Sequence, residues 1–163
     1  MKISGPDFTE KMHHHLTYPA GRLLKLQDII QEDQMHNPDM VDNNNKPCLL
    51  VIKNGSTSGV TIGRATGIFS YTRRYFEDAP PQRSKEWAIL PYDKHTHTFS
   101  EAGDSGSIVV DGHGRIGGLL TGGCGMPIGG VTTDVTYVTP FFWLWPRIKS
   151  NGFPEADLNP VMA

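Results

Sequence analysis

Short apolar runs separated by Gly, Pro and polar turns dominate the chain from Pro47 onward. Runs of this length are typical of buried strands rather than of amphipathic helices. They predict about six strands, over Cys48–Ile52, Val60–Ile62 with Ala65–Tyr71 (one strand or a pair), Glu86–Pro91, Ser107–Val110, Arg115–Thr121 and Val135–Val138. Asn54-Gly55, after the first run, predicts a tight turn.

The first 46 residues show a different pattern. An imperfect apolar face predicts a helix over Leu23–Gln34, made by Leu23, Leu24, Leu26, Ile29 and Ile30. Two polar stretches, Asp39–Lys46 and Arg73–Lys85, are predicted to be exposed loops. At the other end, Phe141–Lys149 predicts a terminal helix that is broken at Pro146.

These elements predict an all-β fold, a single six-stranded antiparallel β-barrel over residues 47–149. A helical and loop arm, residues 1–46, precedes the barrel, and a tail, residues 150–163, follows the C-terminal helix. The length of 163 residues agrees with one domain that can bury a core without metals or disulfides.

Charge and composition exclude several classes of function. The chain has 15 Lys and Arg against 17 Asp and Glu, a net charge of −2, which is unlike the basic face of a nucleic-acid binder. Membrane spanning is excluded because no apolar run reaches 18 residues. Two cysteines, Cys48 and Cys124, are too few for a disulfide framework, and the pattern of residues 1–7 does not predict a signal peptide. We therefore expect a reducing, cytoplasmic setting.

The sequence Glu101-Ala102-Gly103-Asp104-Ser105-Gly106-Ser107 places a serine between glycines at a tight turn before a strand. Glycines relieve backbone crowding there, and consecutive N–H groups around the serine can converge on a developing oxyanion. A hydrolase elbow of the Gly-x-Ser-x-Gly kind is excluded, because residue 107 is Ser and a strand rather than a helix follows.

Gly103-Asp104-Ser105-Gly106 resembles the nucleophile motif of trypsin-like (chymotrypsin-fold, PA clan) serine peptidases. Three further segments occur in that family's order: Val51–Gly63 resembles the opening hairpin of its second β-barrel, Gly117–Gly123 its substrate-edge strand, and Tyr137–Pro140 its closing strand. The resemblance covers residues 47–149, and residues 1–46 are similar to the family's connection between its two barrels.

The resemblance implies a role for each matching residue. Ser105 would be the nucleophile, the N–H groups of Gly103 and Ser105 the oxyanion hole, and Asp104 a loop brace held in a buried ion pair. Phe99 would lie near the base of the primary specificity pocket, and Thr121, Gly122 and Gly123 would form its wall. A Phe at the base implies a small, apolar or blocked pocket.

The family's general base and its orienting Asp lie on a first barrel that has no counterpart here. Without a base a serine hydroxyl is a poor nucleophile. Histidines are present at positions 13, 14, 15, 36, 95, 97 and 113, and His95 and His97 are the best placed to approach the cleft. All are expected to be solvated loop residues rather than bases or ligands of a structural metal.

Two functions follow. The chain is a serine peptidase domain that lacks the His- and Asp-bearing barrel and is inactive alone, or it is a non-catalytic module that binds a peptide or protein by adding a strand at an exposed sheet edge. A third arrangement has a separate chain supplying His and Asp. No cofactor, metal, nucleic acid or membrane is expected in any of them.

Overall fold

A computed structural model describes residues 24–42, 44–92, 98–125, 127–128, 131–132 and 134–158. The elements, numbered in chain order, are α1 (Glu32–His36), β1 (Leu49–Gly55), β2 (Gly59–Ala65), β3 (Phe69–Arg74), β4 (Gln82–Pro91), β5 (Ile108–Asp111), β6 (Ile116–Cys124), β7 (Pro127–Ile128), β8 (Val131–Thr132), β9 (Val135–Pro140) and α2 (Phe141–Ser150).

Seven of the strands form one antiparallel sheet, and β7 and β8 form a separate pair. The order in the large sheet is β2-β1-β5-β6-β9-β4-β3, and β2 also pairs with β4, which closes a ring. Both β2 and β3 pair with β4, at Gly63↔Pro91 and Phe69↔Trp87. Together they fill one position of the ring, with a break between Ala65 and Phe69. The predicted all-β antiparallel fold is therefore confirmed.

The ring encloses the main core. Its fully buried members come from both halves of the sheet and from the segment before β1, and they include Ile30, Met35, Leu49, Val51, Trp87, Ile89, Phe99, Val109 and Val138. Continuous apolar burial through β1 explains why that strand shows no polar alternation in the sequence. Among the described residues no helix has the length and apolar character needed to cross a membrane.

The helix predicted over Leu23–Gln34 is wrong for Leu24–Gln31 and correct for Glu32–Gln34, which open α1. Residues Leu24–Gln31 form no helix, and Asp28 has a positive φ of 58°. A parallel bridge joins Ile29 to Ile116, and the N–H of Ile30 donates to the Ile116 carbonyl at 2.9 Å. Pairing with the sheet thus overrides the helical spacing of the apolar residues.

The loop predicted over Arg73–Lys85 is correct for residues 75–81 and wrong at its two ends, because Arg73 and Arg74 belong to β3 and Gln82–Lys85 to β4 of a hairpin. Register runs from Phe69↔Trp87 to Arg74↔Gln82, so the hairpin projects beyond the ring. Both of its faces carry polar side chains, which removes the apolar alternation on which strand prediction depends.

The C-terminal helix α2 continues through Pro146 rather than breaking there. Phe141 at its start is buried and stacks on Trp145 with ring centroids 5.7 Å apart. Phe141 and Trp145 pack on a second apolar cluster, which contains Ile52, Val110 and Ile116 of the sheet. This packing holds the helix despite the proline.

Candidate functional site

Ser105 lies at the tip of a loop that enters β5. The residue is exposed, and within the described part of the chain its hydroxyl makes no hydrogen bond. The N–H of Gly106 donates to the Leu120 carbonyl at 2.8 Å, and the N–H of Leu120 donates to the Ser107 carbonyl at 3.0 Å. Both bonds are made to Leu120 of β6, the residue before Thr121, and they hold the serine beside that strand.

Positive φ angles shape this loop. Gly103 has φ +104° and Gly106 has φ +86°, conformations that side-chain-bearing residues rarely adopt. A Cβ at Gly103 would also collide with the Thr57 hydroxyl, whereas a Cβ at Gly106 would meet nothing. Glycine is required for backbone conformation at both positions and for space at the first.

Between residues 101 and 107, the backbone N–H groups of Ala102, Gly103 and Ser105 have no hydrogen-bond acceptor among the described residues. The N–H groups of Asp104, Gly106 and Ser107 donate to carbonyls of Glu101, Leu120 and Asp104. Free donors on a loop that carries a serine are the type of group that can stabilise an oxyanion.

Asp104 is the buried anchor of the loop. Its side chain and that of Lys53 are fully buried, with Nζ and Oδ2 3.0 Å apart. The carboxylate also accepts the N–H groups of Thr57 at 2.8 Å and Ser58 at 3.1 Å, and the Ser58 hydroxyl at 2.6 Å. The N–H of Glu101 donates to it at 3.0 Å, so every donor around the carboxylate stabilises its charged form.

The balance of burial and hydrogen bonding sets the ionisation of Asp104. Burial alone raises its pKa, but the hydrogen bonds from Ser58, Glu101, Thr57 and Lys53 outweigh it, so the pKa lies well below the usual range of a carboxyl group. Asp104 is therefore ionised in the folded chain at neutral pH.

The anchor also explains the β1–β2 connection. Asn54 and Gly55 belong to β1, and Gly55 pairs with Gly59, so the predicted Asn-Gly turn is wrong by two residues. A Cβ at Gly55 would overlap the Asp104 carboxylate, which means that this glycine provides space for the buried pair. The N–H groups that Asp104 accepts belong to the turn itself, so a residue 47 positions away shapes it.

Neither described histidine is bonded to Ser105. The ring of His36, on α1, is tilted by 41° against the Phe69 ring with centroids 4.7 Å apart, and the backbone N–H of His113 donates to the Asp111 carboxylate in the β5–β6 turn at 3.0 Å. His95 and His97 lie outside the described residues, as does the triplet at positions 13 to 15. The described residues thus hold a serine and free N–H donors without a bonded base.

Phe99, predicted near the base of a specificity pocket, is wholly buried in the main core. Its carbonyl accepts the Thr61 hydroxyl at 2.6 Å, and its N–H bonds to the Asp134 carboxylate. Burial nevertheless raises the pKa of Asp134, and one oxygen of that carboxylate is buried with no hydrogen-bond partner among the described residues. The next residue, Ser100, bonds to the Thr136 hydroxyl at 2.6 Å.

Thr121, Gly122 and Gly123 line an open cleft of about 650 Å³ between β6, β9 and the β3–β4 hairpin. The cleft also carries Glu86, which is 6% exposed and accepts the Thr139 hydroxyl at 2.9 Å. Tyr137 lies in the same wall and donates its hydroxyl to Cys124 at 2.9 Å. That bond raises the pKa of Tyr137, as does its partial burial.

Sequence reasoning missed Lys53 and Glu86. Lys53 directly follows the apolar run Leu49–Ile52, so it continues a buried strand. Because a buried lysine needs a carboxylate partner, this position was a signal in the sequence for a buried ion pair. Glu86 gave no signal, because its burial depends on strands that are distant in the sequence. In the described part of the chain no group of three His, Cys, Asp or Glu side chains could hold a metal ion.

No family model matches the chain, and no curated protein matches it in sequence. One matching solved structure is the crystal structure of chymotrypsin from Cellulomonas bogoriensis, with a TM-score of 0.40 and 22% identity. The match covers 64% of this chain and 47% of the chymotrypsin chain, so the present chain spans about half of that protein.

Proposed function

We propose that this chain is a trypsin-like serine peptidase domain in which Ser105 is the nucleophile for peptide-bond hydrolysis. One observation carries the proposal: Ser105 is exposed on a loop held by a buried ion pair, and its own N–H and that of Gly103 have no acceptor among the described residues. In this proposal both N–H groups would donate to the oxyanion of a tetrahedral intermediate on Ser105.

The substrate would be an extended peptide. Beyond Leu120, the edge of β6 that faces away from β9 pairs with no strand among the described residues. A peptide adding there would lie beside Ser105, with Thr121, Gly122 and Gly123 as its neighbours. Phe99, being fully buried, would close the floor of the site rather than contact a substrate side chain.

The general base would come from outside the described residues, from a His- and Asp-bearing segment or a separate chain. Until it is supplied, the chain would have only the catalysis that an oxyanion hole and binding provide, about 10³–10⁴-fold over water. An added small base should therefore raise the reactivity of Ser105.

The test is the intact mass of the purified chain after exposure to a fluorophosphonate, with and without imidazole. We expect one adduct on Ser105, formed about 10³-fold faster than on a free serine derivative and faster again with imidazole. Ser105→Ala should abolish the adduct, whereas Ser107→Ala, its matched neighbour, should retain it. A folded chain whose Ser105 stays unmodified in both conditions would overturn the proposal and leave a non-catalytic module.

A further inference from the structure

The β3–β4 hairpin combines three surface features. The first is an open sheet edge: β3 pairs with β4 on one side, and its other side has no strand partner among the described residues. Unpaired main-chain groups on such an edge are a template for another extended chain.

The orientation of the main-chain groups along this edge follows from one hydrogen bond. The N–H of Ala88 donates to the Ile68 carbonyl, so residues 68, 70, 72 and 74 face β4 in the alternation of an antiparallel ladder. The N–H and carbonyl groups of Phe69, Tyr71 and Arg73 consequently point outward. Three successive outward residues are enough to pair with a strand of five or six residues.

Exposed apolar side chains are the second feature. Ile68 is 58% exposed, Tyr71 79%, Tyr75 74% and Phe76 47%, four large hydrophobic residues within nine positions. Clustered exposure of this kind marks interaction surfaces, whereas single exposed apolar residues do not.

Positive charge is the third feature. Between Phe69 and Lys85 the sequence holds four cations and only two anions, Glu77 and Asp78, in a chain whose net charge is −2. Lys85 bonds to Glu32 at 2.7 Å, but Arg73, Arg74 and Arg83 form no ion pair with any described residue. By side-chain alternation Arg73 and Arg74 lie on opposite faces of β3, so both faces of the edge are positive.

We propose that the open edge of β3 binds an acidic, extended peptide segment, which adds as a further strand. Acidic side chains of the segment would oppose Arg73 and Arg74, and an aromatic or β-branched side chain would pack across from Tyr71. A single-stranded nucleic acid would also meet aromatic and cationic groups, but it would leave the outward main-chain groups unused. The inference is independent of the function proposed for Ser105.

The test uses a labelled peptide, acetyl-(Val-Glu)₄-amide, in fluorescence anisotropy with the full chain at low salt. We expect it to bind, with affinity that falls as salt is added, while acetyl-(Val-Lys)₄-amide does not. Arg73→Glu with Arg74→Glu should weaken binding about tenfold or more, since two rim charges are reversed. Lys149→Glu with Lys25→Glu changes the net charge equally but lies away from the hairpin, and it should have little effect.

A second variant separates strand addition from simple charge attraction. Tyr71→Pro removes an outward N–H and leaves the ladder to β4 intact, since edge positions of this kind accept proline. It should weaken binding while thermal unfolding stays cooperative, and Ser105→Ala should bind like the natural chain.

Five outcomes would overturn the proposal. Absence of binding, or equal binding by all variants, would remove the edge as a site. Preference for the lysine peptide would contradict the charge argument, and tighter binding of oligo-dT would assign the hairpin to nucleic acid. A natural chain that dimerises when Tyr71→Pro does not would assign the edge to a second copy.

Discussion

At the scale of single residues, the buried pair of Lys53 and Asp104 is the feature on which the Ser105 loop most depends. Both side chains are inaccessible, and the carboxylate bonds to three different segments of the chain. A buried ion pair adds little net stability, but loss of one partner leaves the other charge buried without compensation. The pair is therefore a conformational lock for the loop more than a source of stability.

Asp104→Asn should lower the free energy of unfolding by about 3–5 kcal/mol at neutral pH, because Lys53 then stays buried without a counter-charge. Urea unfolding measures the effect. Asp104→Asn combined with Lys53→Met should recover part of the loss, since the double variant buries no charge. A double variant less stable than the single one would show that the ammonium group is not the source of the loss.

The same pair predicts a pH dependence. The folded pKa of Asp104 is lowered, so its contribution to stability is complete above its unfolded pKa of about 3.9 and is lost as the pH falls toward the folded value. The stability difference between the natural chain and Asp104→Asn should therefore shrink steadily below about pH 4. Urea midpoints across that range test it, and a difference that stays constant down to about pH 2 would contradict it.

At the scale of elements, the sequence predicts a strand well where the strand buries apolar side chains in the ring, continuously in β1 and β5 and on alternate positions in β9. It fails for the outer part of the β3–β4 hairpin, Arg73–Arg74 and Gln82–Lys85, whose residues form strands without burying an apolar face. It fails again at Leu24–Gln31, where apolar residues at helical spacing pair with Ile116 instead. The candidate site is also only partly predictable from the sequence. The glycines around Ser105 are recognised as a motif. The pairing of Lys53 with Asp104 and the free N–H groups of the loop depend on contacts between distant segments, which the sequence does not show.

Helix α2 gives a direct test of local preference against packing. Pro146 lies inside it, and having no N–H it cannot donate to the Phe142 carbonyl. Pro146→Ala should restore that bond and raise the free energy of unfolding by about 1–3 kcal/mol. Thermal unfolding measures the change, with Lys149→Ala as an exposed control in the same helix. A lower melting temperature for Pro146→Ala would mean that the proline makes contacts that outweigh its missing hydrogen bond.

At the scale of the whole molecule, the segment before β1 is part of the barrel rather than an appendage to it. Ile30 and Met35 are fully buried in the main core, together with residues of β1, β4 and β9. Arg115, in the β5–β6 connection, bonds to both oxygens of Asp39 at 2.9 Å and to Asp111. Core packing and a charged clamp together fasten residues 24–42 to the sheet.

This arrangement predicts that the segment and the barrel unfold together. Ile30→Ala should lower the free energy of unfolding by about 2–5 kcal/mol, because it leaves a cavity in the shared core, and the transition should remain single with an unchanged urea slope. Ile68→Ala deletes the same atoms at a position that is 58% exposed, and its effect should stay within about 1 kcal/mol. Equal, small losses for both variants would mean that the segment can detach while the barrel stays folded. A second, earlier transition in Ile30→Ala would identify the segment as a separate unit, and the Ser105 loop would then depend on the ring of strands alone.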